Sequence, residues 1–494
     1  MLGERGRRLE RSVGVHHESA VAVQVERSCT DRDATGFTGV AGATVEQRSR
    51  CRPERAFLLR SGAMPRLDTR AILQGRNSRR STTLLLGTTV SVVCMAGMFV
   101  YLWMLAMAGG AAAGIDGTTG FVLSLLAAVV PVSALIPLIL LLDRLEPEPR
   151  SVLFFAFAWG AGVAVVASLL LNSWGLRSVA VPLFGPETGG AVATSVVAPV
   201  VEESAKGLVL LILLWRRRHE IDTYTDGVVY GGMVATGFAF TENILYFLGA
   251  FFEGNLAATF VLRGIVAPFG HPVYTAVIGI GVAYAATHIG RARALAPIAG
   301  WFAAVVLHGL WNGAAQTGWS GLGLAYAVLF VVALGIVGLS ARDRRSQVAA
   351  IGHYLPPYVS TGLVTSSDIT MLSSMAQRRE ARGWASRNAG SKGRAAMKEY
   401  QLAATELALL HQKIDAGRPR GDWKVRRDSY LALMHVSRDT FLGRMHRPVT
   451  PGWAESPTDS GFMRRADFAQ VIAQARAPQP PQEYVPRHAP RSAP

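Results

Sequence analysis

Cysteine is nearly missing from this chain, with three in 494 residues. Cys29, Cys51 and Cys94 share no metal-ligand spacing, and no disulfide framework is indicated. Charged residues are scarce as well, at 17 % of the chain, and they are unevenly placed. Length alone would allow several soluble domains. Between about Thr82 and Ser340, however, the chain breaks into long apolar stretches separated by short polar ones. No His-Glu-x-x-His sequence is present, so the strong helical zinc-protease signal is missing. No internal repeat is visible, and the first 63 residues lack the apolar core of a signal peptide.

What is present is hydrophobic length. Eight stretches, at about 82–107, 121–142, 151–171, 191–215, 227–252, 264–287, 294–318 and 322–340, are long enough to cross ~30 Å of hydrocarbon as helices. Eight buried helices in succession are hard to accommodate without lipid, so the expected fold class is an all-α, polytopic membrane helix bundle. Lys and Arg then give the orientation. Arg66, Arg70, Arg76, Arg79 and Arg80 precede the first span. Arg144 and Arg150 lie in the second connection, Arg216, Arg217 and Arg218 in the fourth, and Arg291 and Arg293 in the sixth. Arg342, Arg344 and Arg345 follow the last span, whereas the intervening connections hold only Arg177 and Arg263. Under the positive-inside rule this alternation predicts a multi-pass protein of the cell membrane with both termini in the cytoplasm.

The formal charge of +16 is largely explained by cytoplasmic anchoring and attraction to the lipid bilayer's anionic head groups, so no nucleic-acid partner is expected. The ends differ from the core. Residues 1–63 mix Arg, Glu, Gly, Ser and Thr without periodicity. Met64 then opens a short basic segment running into the first span, which points to a start there and to an upstream extension before it. A disordered cytoplasmic tail is the other reading, and peptides from before Met64 in a mass spectrum would decide for it. Residues 64–340 form the expected eight-span domain, 341–476 a cytosolic, partly helical region, and 477–494 a disordered Pro-rich tail. Met397, Tyr400, Ala404, Leu407, Leu410 and Ile414 recur at helical steps, and a second helix is expected over 425–446 with a turn at 417–422. Such a hairpin suits contact with a cytosolic protein partner.

Ionisable residues inside spans are costly and by default mark function. Glu202, Glu203 and Lys206 lie in the fourth span, Glu242 and Asn243 in the fifth, His271 at the start of the sixth, and His308 and Asn312 in the seventh. At ~1.5 Å per residue from the outer ends, the Glu pair, Glu242 and His308 lie roughly 15 Å deep and His271 about 10 Å. They are therefore expected to meet as one site in the outer half of the membrane. Glu202 and Lys206 are four apart and share a face, so the Lys can neutralise a carboxylate. Pro199 and Pro272 lack the N–H for regular helix bonding and could open the backbone near Glu202 and His271. Taken singly, each feature has a plainer reading. A Glu–Lys pair ties helices together, and a lone His packs in a core. Gly227, Gly231, Gly309 and Gly313 read as small-residue helix packing.

The combination Glu202-Glu203-x-x-Lys206, Phe238-x-x-x-Glu242-Asn243, His271 and His308-x-x-Trp311-Asn312 resembles the signature set of the PrsW-type intramembrane proteases. Asp143-Arg144-Leu145-Glu146-Pro147-Glu148-Pro149 resembles a stretch common in that family. The family is distantly related to the CAAX prenyl endopeptidases. The resemblance, over roughly 83–340, implies hydrolysis of a peptide bond in a single-span membrane substrate, such as an anti-sigma factor, outside the cytoplasm. It implies Glu202 or Glu203 as the base that activates water, and His308 with Asn312 as an oxyanion-stabilising pair. Where the endopeptidases have Phe-x-x-x-His this chain has Glu242, so their Glu–His partnership does not transfer unchanged. Metal-assisted and metal-free hydrolysis therefore both stay open. For zinc, His271, His308 and a glutamate, Glu203, are the candidate ligands. Two other classes compete. A proton-coupled transporter would also use buried carboxylates and histidines, but more often with an inverted repeat. An inactive binding protein would hold single-span partners in the same groove.

Overall fold

The computed structural model describes residues 82–417 and 423–443, all helices and short connections. The N-terminal extension, the basic segment around Met64, residues 418–422 of the expected turn and the tail after 443 lie outside the described residues. The membrane helices are α1 (Thr82–Ala113), α2 (Gly117–Leu142), α3 (Arg150–Phe184), α4 (Ala198–Arg217), α5 (Tyr224–Phe252), α6 (Gly270–Thr287), α7 (Ala292–Ala315) and α8 (Trp319–Tyr354). Leu85, Val93, Met104, Leu126 and Leu334 face outward more than half exposed. That placement is unfavourable in water and natural against acyl chains.

Among the described residues, seven helices are long and apolar enough to cross a membrane. The expected fourth span is helical but is not one of the seven. α4 is led in by Pro186–Val192 and a π-helical turn, Ala193–Val197, and it carries Glu202, Glu203, Lys206, Arg216 and Arg217. Its position explains how a helix so charged can sit in the bundle. α4 packs among α3, α5, α6 and α7, so Glu202, Glu203 and Lys206 are buried against protein.

α5 is the hub, packed against α2, α3 and α6. Close approach is what its glycines allow. A Cβ on Gly227 would stand 2.1 Å from the Gly279 carbonyl oxygen of α6, and one on Gly237 would stand 2.0 Å from that of Phe157 on α3. Thr223 and Asp226 cap the start of α5 reciprocally, satisfying amides that a helix terminus otherwise leaves unpaired. The sixth span is interrupted. Leu256–Phe260 runs into a π-helical turn, Val261–Val266, and α6 restarts at Gly270. Pro272 falls in the first turn of α6, where no helical N–H is lost, and Pro199 follows directly on the π-helical turn Ala193–Val197. The irregular backbone therefore precedes the two prolines.

The helix of the last span runs past the apolar stretch that ends near residue 340. α8 continues to Tyr354, because the polar stretch after Ser340 keeps helix formers in phase with Gln347, Ala350 and Ile351 on a buried face. α9 (Ser366–Leu372), α10 (Met375–Asp415) and α11 (Trp423–Phe441) follow. Met397, Tyr400, Ala404, Leu407 and Leu410 of α10 meet Tyr430, Leu433, Met434 and Phe441 of α11 in a buried core that also takes Ile351 and Leu355 from the end of α8. The expected hairpin is thus part of a larger helical body. This body meets the membrane bundle through polar contacts. Lys413 Nζ lies 2.6 Å from Asp222 Oδ2, Gln347 Nε2 donates to Glu146 Oε2 at 3.3 Å, and the Thr225 amide donates to Asp343 Oδ2 at 2.9 Å. Burial, then the Glu406 charge, pushes the Glu146 carboxyl well above the ordinary carboxylate range.

Candidate active site

Four helices converge on one polar centre. Lys206, fully buried, is the node. Its Nζ lies 2.9 Å from Glu203 Oε1, 3.3 Å from Glu202 Oε2 and 3.0 Å from His271 Nδ1, and 3.7 Å from the centre of the Phe238 ring. Glu203 is held on every side, accepting also from Thr275 Oγ1 at 2.9 Å and facing His308 Nδ1 at 3.1 Å. Glu202 takes Asn172 Nδ2 at 3.3 Å and faces His308 Nε2 at 3.9 Å. His271 Nε2 stands 3.0 Å from Glu242 Oε2. The two imidazoles meet edge to face, their centroids 5.0 Å apart, and Tyr274 stacks on His308 at 4.9 Å.

Six of the sequence-predicted residues, Glu202, Glu203, Lys206, Glu242, His271 and His308, are joined directly in this network. Asn243 joins through Arg263, whose Nε donates to its Oδ1 at 2.9 Å and whose guanidinium also pairs with Glu242. Asn312 lines the same cavity but donates its amide to the Thr194 carbonyl at 2.9 Å. It ties α7 to the lead-in of α4.

Sequence reading missed Asn172, Arg263, Tyr274 and Thr275. Arg263 had a signal, being a charge that breaks the alternation of the connections. The π-helical turn Val261–Val266 turns it inward, with its guanidinium 3.8 Å over the Tyr246 ring. Asn172, a lone amide after an apolar run, was a weaker signal. Thr275 and Tyr274 gave none, since both residue types are ordinary within a buried helix.

A cavity of about 900 Å³ opens on this centre. Glu202, Glu242, Asn243, His271, His308 and Asn312 line it, whereas Glu203 and Lys206 stand behind the wall.

Residues 148–337 match the model of the PrsW family intramembrane metalloprotease. This is the family that the motifs resemble, and the matched segment contains every sequence-predicted site residue. The chain is 32 % identical over 124 residues to Protease PrsW of Bacillus subtilis (strain 168), covering 25 % of this chain and 53 % of that protein. It is 29 % identical over 153 residues to Protease PrsW of Geobacillus kaustophilus (strain HTA426), covering 31 % and 62 %. The chain thus spans roughly half to three-fifths of the length of these curated relatives. No solved structure matches it.

The donor set suits the metal of that description. Glu202, His271 and His308 each offer one ligand atom, all within 4.8 Å of one another. Two imidazoles and a carboxylate form a common catalytic zinc set. His308 has its second nitrogen, Nδ1, facing Glu203, a partner of the kind that fixes the tautomer of a ligating His, whereas His271 meets Lys206 through Nδ1 and Glu242 through Nε2. The carboxylate in the trio is Glu202; Glu203, the glutamate expected from sequence, faces His308 from behind the cavity wall.

Proposed function

We propose that the chain is an intramembrane endopeptidase that hydrolyses peptide bonds of single-span membrane proteins from its cavity. The observation that carries this reading is the Glu202, His271 and His308 trio, set in the wall of a 900 Å³ cavity inside a helix bundle. Glu202, His271 and His308 would hold a divalent ion, with zinc the natural choice for these donors. Zinc, when bound, supplies Lewis acidity toward a carbonyl and activates water at neutral pH.

The chain's own residues do the rest. Glu203 accepts the Nδ1 proton of His308 and so turns Nε2 toward the cavity. Lys206 neutralises the Glu pair, which two buried carboxylates require. Glu242 is the other carboxylate on the wall, and with Glu202 engaged as a ligand we assign Glu242 the proton of the attacking water. Arg263 fixes the position of Glu242, while Phe238 and Tyr274 limit access of bulk water. Asn312 holds the cavity's outer wall. The arginine alternation supports an orientation with α9–α11 in the cytoplasm and the cavity toward the outer face.

The test compares membrane and culture-fluid proteomes of cells carrying wild type or Glu202→Gln at equal abundance. Outer portions of single-span proteins shed only by wild type establish the protease and identify its substrates. Identical peptide maps would instead favour a transporter or an inactive binder. Purified protein should also lose cleavage in EDTA and regain it with Zn²⁺.

A further inference from the structure

A second cluster of carboxylates, two buried and one half-buried, lies outside the active site, and its chemistry is different. Asp143 and Glu148 come from the connection between α2 and α3, and Asp226 from the first turn of α5. One carboxylate oxygen from each lies within 4.8 Å of the others. Asp143 is 7 % exposed and Asp226 4 %. The donors that these groups meet are neutral. Asp226 accepts from the amides of Asp222 and Thr223 at 2.7 and 2.8 Å and from Thr223 Oγ1 at 2.7 Å, while Glu148 accepts from the Tyr230 hydroxyl. The neighbouring ammonium, Lys413, is engaged by Asp222. Asp143 Oδ2 is shielded from solvent and meets no hydrogen-bond donor among the described residues. Two buried carboxylates and a half-buried one, with no basic partner among the described residues and one bare oxygen, call for a compensating positive charge.

We propose that Asp143, Glu148 and Asp226 form a site for a hard divalent cation, Mg²⁺, Mn²⁺ or Ca²⁺, that clamps the α2–α3 connection to the start of α5. Carboxylate oxygens with no nitrogen or sulfur donor select this class of ion. The site is separate from the imidazole-containing centre and does not depend on the proteolytic reading. Its position gives it a further consequence. Glu146, between two of the ligands in sequence, accepts from Gln347, and Asp222, beside the third, holds Lys413. Binding would therefore stiffen the seam between the membrane bundle and the α9–α11 body.

The test titrates Mn²⁺ into the full chain in detergent, reading bound ion by electron paramagnetic resonance and stability by thermal unfolding with Mg²⁺. Wild type and Asp143→Asn are compared with His308→Ala, which alters only the imidazole site. The expected result is one Mn²⁺ fewer per chain in Asp143→Asn than in wild type, and its retention in His308→Ala. Mg²⁺ should raise Tm by several degrees in wild type and His308→Ala but not in Asp143→Asn or Glu148→Gln. Asp143→Asn relieves repulsion, so in EDTA its Tm should equal or exceed that of wild type. An unchanged Mn²⁺ count in Asp143→Asn overturns the site and leaves the carboxylates sharing protons. So does a Tm for Asp143→Asn in EDTA far below that of wild type.

Discussion

Replacing Lys206 by Met is the most searching single perturbation of the site. Met keeps most of the side-chain volume and its contact with Phe238 but removes the ammonium. Two buried carboxylates, 2.9 and 3.3 Å from the lost charge, are then left facing each other's field without a cation. Removing one partner of a buried ion pair typically costs about 3–5 kcal/mol, because the remaining charge stays desolvated. Lys206 serves two carboxylates, so we expect the upper half of that range, about 4–5 kcal/mol. Replacing Glu203 as well should recover part of the loss, since pairs of buried ions can be exchanged for neutral groups at small net cost. The double variant Lys206→Met/Glu203→Gln is therefore expected to cost about 2 kcal/mol less than the sum of its parts, as coupled neighbours do. The assay is reversible unfolding of the metal-free protein in mixed micelles, with all four corners of the cycle measured. A loss below about 1 kcal/mol for Lys206→Met, or additivity within about 0.5 kcal/mol, would refute the placement of Lys206 as the node.

Other expectations follow from the same geometry. Arg263→Gln keeps the fold but frees Glu242 and Asn243, and should reduce cleavage and zinc affinity by about 10–100-fold, as loss of outer-shell partners does. Equal kcat and affinity in the variant would count against it. Gly227→Ala puts a methyl 2.1 Å from the Gly279 carbonyl and should destabilise by about 1–3 kcal/mol. Gly335→Ala, with nothing within 4 Å, should be neutral or slightly stabilising, and thermal unfolding of the two decides. His411 is held below its usual value by burial, then by Arg427, so the folded state favours the neutral ring. That contribution is complete above about pH 6.5 and is lost as pH falls through the depressed pKa. Hydrogen exchange of α11 amides should thus accelerate below pH 6 in wild type and less so in His411→Gln.

The parts legible in the sequence were those written in composition and charge. Hydrophobic length predicted eight spans, and seven of them are long, apolar helices among the described residues. Four buried helices carrying Glu202, Glu242, His271 and His308 could be predicted to meet because an isolated charge at that depth is too costly to keep. α4 shows the limit. Its stretch is long enough to count as a span in the sequence, but its charges keep it out of the seven apolar helices, and its neighbours make its position tolerable. The end of α8 is not legible for a related reason, since loss of hydrophobicity at Ser340 marks the end of the apolar stretch and says nothing of where the helix stops. Which of Glu202 and Glu203 lines the cavity is invisible in sequence. A rotation of 100° separates adjacent residues on a helix, but which one meets the cavity depends on Thr275, Asn172 and His308 from other elements. Arg263 showed as an out-of-place charge, but its inward direction comes from the π-helical turn in which it sits.

α8 joins the two halves of the molecule without a break, from Trp319 to Tyr354. At 1.5 Å per residue it is a strut about 54 Å long, and a helix transmits angle as well as distance. The α9–α11 body is therefore indexed to the bundle like a key on a shaft. One residue inserted in α8 just after Ser340 would turn that body by about 100° and advance it by about 1.5 Å. Gln347 would be carried away from Glu146. Seven residues inserted at the same point would nearly restore the phase while lifting the body clear by about 10 Å. In this respect the linker is part of the machine's gearing, and its length in residues counts as much as their identity.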